Sequence, residues 1–438
     1  MLESVSTAAE TSACVAADER SVMVPAQQAA LRDGIVVLGA GQAGGRAVEA
    51  LRAHGFSGSI TLVGDEADPP YERPSLSKEM LLNPDAETVA WVHADDYLAR
   101  QGVAFHSGIA AKRIDRAARR VVLTDGRSIT YGALILATGR RARRLGIAGG
   151  ELPSCLYLRN LNDSRALRGR LRPGLRILIV GAGFIGLEVA AAAVQRGGDV
   201  TVLEAGEAPL GRAVPPALGR TLLDLHEGHG VRFAFGTQLT RFLPKGDGLV
   251  AVTKEEARFE ADLAVIGIGA EPNCEVAAEA GLAVDGGIVT DAFGATSDPL
   301  IFAVGDVAAH FNPMVGRHLV LESWQNAQNA AIAVARNLAR PDAVAPYAEV
   351  PWFWSDQYAS NLQIYGLMQA GARNVVRRRP DGRCLHFQVL DGRLIFAAGI
   401  GAARELRVAQ DLIRTGVQVA DSELADPTIS LSTLLKRA

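Results

Sequence analysis

Short apolar runs recur along this chain, and most of them close on glycine or a carboxylate. Ile35-Val36-Val37-Leu38, Ile60-Thr61-Leu62-Val63 and Leu134-Ile135-Leu136-Ala137 form one set. Ile177-Leu178-Ile179-Val180, Val200-Thr201-Val202-Leu203 and the run Leu263 to Ile268 form a second. Runs this short, without polar alternation, predict parallel strands covered on both faces. Helical spacing follows the leading run of each set. Ala47, Val48 and Leu51 supply the inner face of one helix, and a second runs from Gly186 to about Arg196. A late run, Leu300 to Val304, ends in Gly305-Asp306. Beyond about Ala345 the pattern gives strands at Leu385 to Val389 and Arg393 to Ala398, then a helix from Arg404 to Thr415.

The turns after the two leading runs are the same. Gly39-Ala40-Gly41-Gln42-Ala43-Gly44 follows Leu38, and Gly181-Ala182-Gly183-Phe184-Ile185-Gly186 follows Val180. The first glycine permits the tight turn, the second lets backbone approach a pyrophosphate, and the third lets helix and strand pack closely. The helix N-terminus then faces the phosphates. An acid about 20 residues on binds the ribose hydroxyls. Asp65, with Glu66 beside it, fills that place for the first turn and Glu204 for the second. A carboxylate there repels a 2′-phosphate, which favours NADH over NADPH, and Arg212 lies too far along to reverse this. The chain therefore reads as α/β, with two Rossmann-like dinucleotide-binding domains and a C-terminal α+β domain. Two dinucleotide sites in one chain are the pattern of a flavin exchanging electrons with a nicotinamide. The divisions expected are 1–32 as a disordered extension, 33–147 and 273–344 as the two parts of the FAD-binding domain, 148–272 as the NAD-binding domain, and 345–438 as a third domain.

Composition narrows the function classes. A formal charge of -3 over 438 residues gives no basic field for nucleic acid. No apolar run approaches a membrane span. The first 32 residues lack the basic-then-apolar order of a secretory signal. The four cysteines, Cys14, Cys155, Cys274 and Cys384, are scattered, which points to reduced thiols in a cytoplasmic protein. His226 and His229 are too few for a metal site.

Three segments carry a resemblance: Tyr71-Glu72-Arg73-Pro74-Ser75-Leu76-Ser77-Lys78, Glu322-Ser323-Trp324-Gln325-Asn326-Ala327 and Pro351-Trp352-Phe353-Trp354-Ser355-Asp356-Gln357. With the paired glycine turns, they make the chain resemble FAD-dependent ferredoxin reductases of the putidaredoxin reductase and rubredoxin reductase type. Those enzymes serve Rieske-type oxygenases and cytochrome P450 systems. The resemblance runs from about residue 34 onward. It implies that Lys78 lies beside the flavin ring near N5, with Glu188 as its partner. It also implies that Asp306 binds the ribityl chain of FAD. Arg141, or an arginine neighbour, joins the FAD contacts, and Trp324 approaches the ring through its backbone. Arg73 and Ala111 are lesser FAD contacts, and Gly269 closes the nicotinamide side. Trp354 is expected near the flavin on the path by which electrons leave. Ser75 replaces a proline usual in that loop.

The implied activity is NADH:ferredoxin oxidoreduction through FAD, with a 2Fe–2S ferredoxin or rubredoxin as partner and the chain a monomer or weak dimer. The basic run Arg377-Arg378-Arg379 reads as a solvated face that would steer an acidic ferredoxin. Flavin disulfide reductases need a cysteine in the loop after the first strand–helix–strand unit, and Asp65 to Tyr97 holds none. An NADH oxidase passing electrons to oxygen, or a flavoprotein of the apoptosis-inducing-factor kind with a mainly binding role, remain the alternatives.

Overall fold

The computed structural model describes residues 25–85 and 87–437. Most of the expected N-terminal extension, with Cys14, lies outside the described residues. Residues 25–33 are ordered, as a helix Pro25–Ala30 and a turn Leu31–Asp33. They hold because Leu31 buries its side chain in the first core.

Contacts divide the chain into two units. One comprises the described part up to Glu72 with Ala90–Arg140 and Pro272–Glu349. Its five-stranded sheet runs in the order Ile301–Ala303, Ala133–Leu136, Ile35–Leu38, Ile60–Val63, Val103–His106, all parallel. Strands Ile35–Leu38 and Ala133–Leu136 are buried throughout, as their uninterrupted apolar runs require. The late strand Ile301–Ala303 completes this sheet despite its distance in sequence. Helices Gln42–Ala53 and Trp324–Ala339 pack on each other on one face of the sheet. The second helix was not anticipated. Ser323 starts it, its hydroxyl accepting from the Asn326 N–H at 3.2 Å.

The other unit comprises Arg73–Val89, Arg141–Glu271 and Val350 onward. Its parallel sheet has the order Arg232–Ala234, Asp199–Leu203, Arg176–Val180, Leu263–Ile266, Cys155–Tyr157. Helix Phe184–Gln195 packs on it through a nearly continuous apolar surface. An antiparallel sheet of five strands follows, in the order Trp352–Gln357, Ser360–Gly366, Arg393–Ile400, Cys384–Leu390, Arg373–Arg378. Helix Ala403–Thr415 covers it and stops at Gly416, whose φ of 62° gives the left-handed C-cap. Among the described residues no helix is long and apolar enough to cross a membrane.

Candidate functional site

Each leading strand delivers its glycine turn as the sequence implies, and the geometry separates the three glycines by role. Gly39 and Gly181 have φ of 106° and 102°, a conformation that side chains resist. A Cβ on Gly44 would stand 1.8 Å from the Gly39 carbonyl oxygen, and one on Gly186 2.1 Å from that of Gly181. These third glycines are demanded by helix–strand packing. Gly183 is different: its φ is -78°, and the nearest atom to an added Cβ is the Gly267 oxygen at 4.0 Å. No described residue crowds that position, and the open backbone there fits the close approach of a pyrophosphate. Gly41 and Gly183 are the N-caps of helices Gln42–Ala53 and Phe184–Gln195 and offer no capping side chain, so the first N–H groups are free of a side-chain cap and can meet an anion.

The acids differ between the two turns. Glu204 directly follows strand Asp199–Leu203. Its Oε2 accepts from the Ala182 N–H and its Oε1 from the Gly206 N–H, each at 2.7 Å. In the first unit Leu38 pairs with Val63 as Val180 pairs with Leu203, so Gly64 occupies the place of Glu204. An added Cβ on Gly64 would lie 2.5 Å from the Ala40 Cβ, leaving no room for an acid. The carboxylate is therefore displaced by one residue, to the exposed Asp65. Glu66 is engaged by the Tyr71 hydroxyl at 2.5 Å. The chain leading to Ala111 is tied to this turn, with the Ile109 N–H donating to the Gly64 carbonyl at 2.9 Å.

Asp306 sits in the turn Gly305–Val307, beside the first glycine cradle. Gly305 has φ of 74°, and a Cβ there would come within 3.0 Å of the Ala43 Cβ, which is why the turn can close on that helix. Arg140 Nη1 donates to the Asp306 carbonyl at 3.5 Å, and its Nε lies 3.4 Å from Glu322. Its side chain is 9% exposed, whereas that of Arg141 is 50% exposed and paired with Glu271 at 3.5 Å. The arginine at the Asp306 turn is thus Arg140, one residue before the position favoured from sequence. Trp324 is the first residue of its helix. Arg73, expected near FAD, donates to the Arg159 carbonyl at 2.7 Å in the second unit. Gly269 has φ of 99°, and its carbonyl accepts from the Arg143 N–H at 3.0 Å.

Lys78 and Glu188 meet: Nζ lies 2.9 Å from Oε2, with side chains 10% and 2% exposed. Glu188 also accepts from the Ser77 hydroxyl on Oε2 and from the Ser355 hydroxyl on Oε1 at 2.6 Å. Burial pushes the carboxyl of Glu188 upward, and the Lys78 ammonium, Ser355 and Ser77 pull it back. Three chain segments converge here: the loop carrying Ser77 and Lys78, the helix opened by the second glycine turn, and strand Trp352–Gln357. The two serines were not anticipated, because no sequence spacing links residues 77, 188 and 355.

Trp354 stands on that same strand, with its Nε1 donating to Asp356 at 3.1 Å. Its indole stacks on Trp352 at 5.0 Å, and Trp352 on its cross-strand neighbour Tyr365 at 6.0 Å. The basic run differs from expectation. Arg377 is only 2% exposed and donates to the carbonyls of Leu424, Glu423, Asp426 and Ile429. Arg379 pairs with Glu405, so Arg378 alone of the three is fully exposed. His226 and His229 turn toward Tyr358, and no group of three potential metal ligands occurs among the described residues. Cys155, Cys274 and Cys384 are free thiols, and burial raises that of Cys155 to about 11.

Residues 33–331 match the pyridine nucleotide-disulphide oxidoreductase family. The chain belongs to that family. Residues 352–435 match the reductase C-terminal family as well. Among curated relatives, the chain is 43% identical to the ferredoxin–NAD(+) reductase component of an anthranilate 1,2-dioxygenase system from Burkholderia cepacia, over 92% of this chain and 99% of that one. The ferredoxin reductase for the CYP199A2 system from Rhodopseudomonas palustris is similar in structure, with a TM-score of 0.87 and 35% identity over 92% of this chain and 99% of that one. Putidaredoxin reductase, in its covalent complex with putidaredoxin, gives a TM-score of 0.86 and 34% identity over 92% and 98%. The described cysteines are all free thiols, and the stretch Asp65 to Tyr97 contains none.

Proposed function

We infer that this protein is an FAD-dependent NADH:ferredoxin oxidoreductase. The observation that carries the reading is the buried Lys78–Glu188 pair on a loop without cysteine, in a chain with two dinucleotide cradles. Bound FAD supplies the two-electron to one-electron conversion between a hydride donor and a single-electron acceptor. The chain supplies position and electrostatics. In this reading the first glycine cradle, Asp65, Arg140 and Asp306 hold FAD. The second cradle with Glu204 receives NADH, and its carboxylate excludes a 2′-phosphate. Lys78 presents its ammonium to the flavin edge, and Glu188 fixes that ammonium in place. Trp354 lies on the way out to the partner.

The pairing of Ile301–Ala303 with Ala133–Leu136 supports a flavin domain made of 33–147 and 273–344, with the nicotinamide domain 148–272 set into it and 345–438 as a third domain. The partner is a small 2Fe–2S ferredoxin that feeds a Rieske oxygenase or a cytochrome P450. The chain works in the cytoplasm as a monomer or weak dimer.

The test is anaerobic stopped-flow reduction by NADH and by NADPH, followed by cytochrome c reduction with and without added ferredoxins. Fast reduction by NADH and a large ferredoxin-dependent rate are expected. Turnover indifferent to every ferredoxin tried would sink the reading.

A further inference from the structure

The third donor to Glu188 is the end of a longer chain. Ser355 Oγ, which donates to Glu188 Oε1 at 2.6 Å, lies 3.0 Å from Gln357 Nε2. Gln357 Oε1 faces His226 Nε2 at 2.8 Å, and His226 Nδ1 faces the Tyr358 hydroxyl at 3.0 Å. Ser355, Gln357 and His226 are at most 1% exposed. Tyr358 is the first residue of the two-residue turn joining strands Trp352–Gln357 and Ser360–Gly366, and its φ is 55°. Glycine is favoured at that corner, so a tyrosine is held there against backbone preference. His229 stacks on its ring at 3.7 Å.

Donor and acceptor chemistry fixes the direction of this chain. An amide oxygen only accepts, so His226 Nε2 carries a proton toward Gln357. Burial lowers the His226 ring to about 4, so it is neutral and its Nδ1 accepts from Tyr358. The Gln357 amide then donates to Ser355, whose single proton is left for Glu188. Every link points its hydrogen at the carboxylate. Reversing the chain would turn the Ser355 lone pairs toward Glu188 at 2.6 Å, tolerable only if Glu188 held the proton itself. The polarity of the chain and the charge of Glu188 are one variable. The charged or titratable groups facing it are Lys78 at Glu188 and His229 beside His226. Asp356 points to the opposite face of the strand, toward Trp354 and Asn361.

We propose that Ser355, Gln357 and His226 are positioning residues that keep Glu188 ionised and thereby set the charge beside the flavin. Its second half rests on the reading that Lys78 faces the flavin. The FAD-loaded wild type, Ser355→Ala, Ser355→Thr and Gln357→Met are compared from pH 6 to 9. Glu188 protonation is followed by its carboxyl infrared band, assigned by loss in Glu188→Gln. Losing a hydrogen bond to a charged group raises the titration by about one to two pH units. In Ser355→Ala, which removes the bond to Glu188, the protonated band should therefore persist to higher pH. Gln357→Met, which frees Ser355 to turn its proton away, should move it the same way by less, and Ser355→Thr should restore the wild-type titration. A band unmoved in both Ser355→Ala and Gln357→Met overturns the inference, and Gln357→Met decides alone if the alanine variant does not fold. The flavin midpoint potential against pH is measured in parallel with Lys78→Met. If the Glu188 titration moves while the potential is unchanged in Ser355→Ala and in Lys78→Met, the chain stands and the placement of Lys78 at the flavin fails.

Discussion

The carboxylate of Glu204 is bonded to the backbone N–H of Ala182, inside the second glycine turn, at 2.7 Å. The residue proposed to select the dinucleotide is thus held by the loop proposed to bind its phosphates. Glu204→Ala should raise the KM for NADH about ten- to hundredfold, the worth of one or two hydrogen bonds to a charged group. The ratio of kcat/KM for NADPH over NADH should rise together with it. Steady-state kinetics with both nucleotides checks this, and an unchanged ratio would remove Glu204 from selectivity.

Gly183 and Gly186 should respond oppositely to the same change. Gly183→Ala meets no atom closer than 4.0 Å, so thermal unfolding should stay near wild type while NADH affinity falls. Gly186→Ala places a methyl 2.1 Å from a carbonyl oxygen and should lower the Tm before any ligand is considered. Calorimetry with and without NADH separates the two effects. Equal loss of Tm in both would show that Gly183 is a packing glycine.

Breaking the buried pair should cost more than deleting it. Glu188→Ala strands the Lys78 ammonium, which typically costs about 3–5 kcal/mol. Lys78→Met combined with Glu188→Leu should recover much of that stability in denaturant unfolding. Flavin reduction by NADH should stay slow in the double variant, because the charge itself is gone.

Two buried histidines should weaken the fold in acid. Burial lowers both His226 and His310 to about 4 from an ordinary 6.5. The unfolded chain therefore binds more protons between those values. The stability each neutral ring contributes is fully present above about pH 6.5 and is lost as pH falls through about 4, up to about 3 kcal/mol per ring. Denaturant unfolding from pH 4 to 7 should show this slope, and His310→Leu should flatten it. A slope that His310→Leu leaves unaltered would assign the acid limit to other groups.

The glycine turns were legible because their information is local: strand, positive φ and helix start all fall within a dozen residues. The Lys78–Glu188 contact was legible only through resemblance, since its partners stand 110 residues apart. Nothing in the sequence linked Ser77, Ser355, Gln357 and His226 to one another, because a hydrogen-bonded chain assembled from three segments leaves no periodicity. Gly64 shows a subtler limit. The spacing rule pointed to Asp65, but only strand register revealed that the place matching Glu204 is filled by the preceding Gly64. The helix Trp324–Ala339 could have been read from Ser323 and the spacing of Ala327, Ala330, Ala331 and Val334. Arg377 was misread because a run of like charges suggests solvent, whereas alternation along strand Arg373–Arg378 turns it inward.

That buried arginine has a practical consequence for anyone shortening the protein. One guanidinium collects four carbonyls between Glu423 and Ile429. A truncation placed between Glu405 and Glu423 would remove every one of them and leave the guanidinium with Glu405, 3.7 Å away, in their place. The usable boundary of a trimmed version therefore lies beyond Ile429, and an Arg377→Met exchange is the partner change that any shorter version would need.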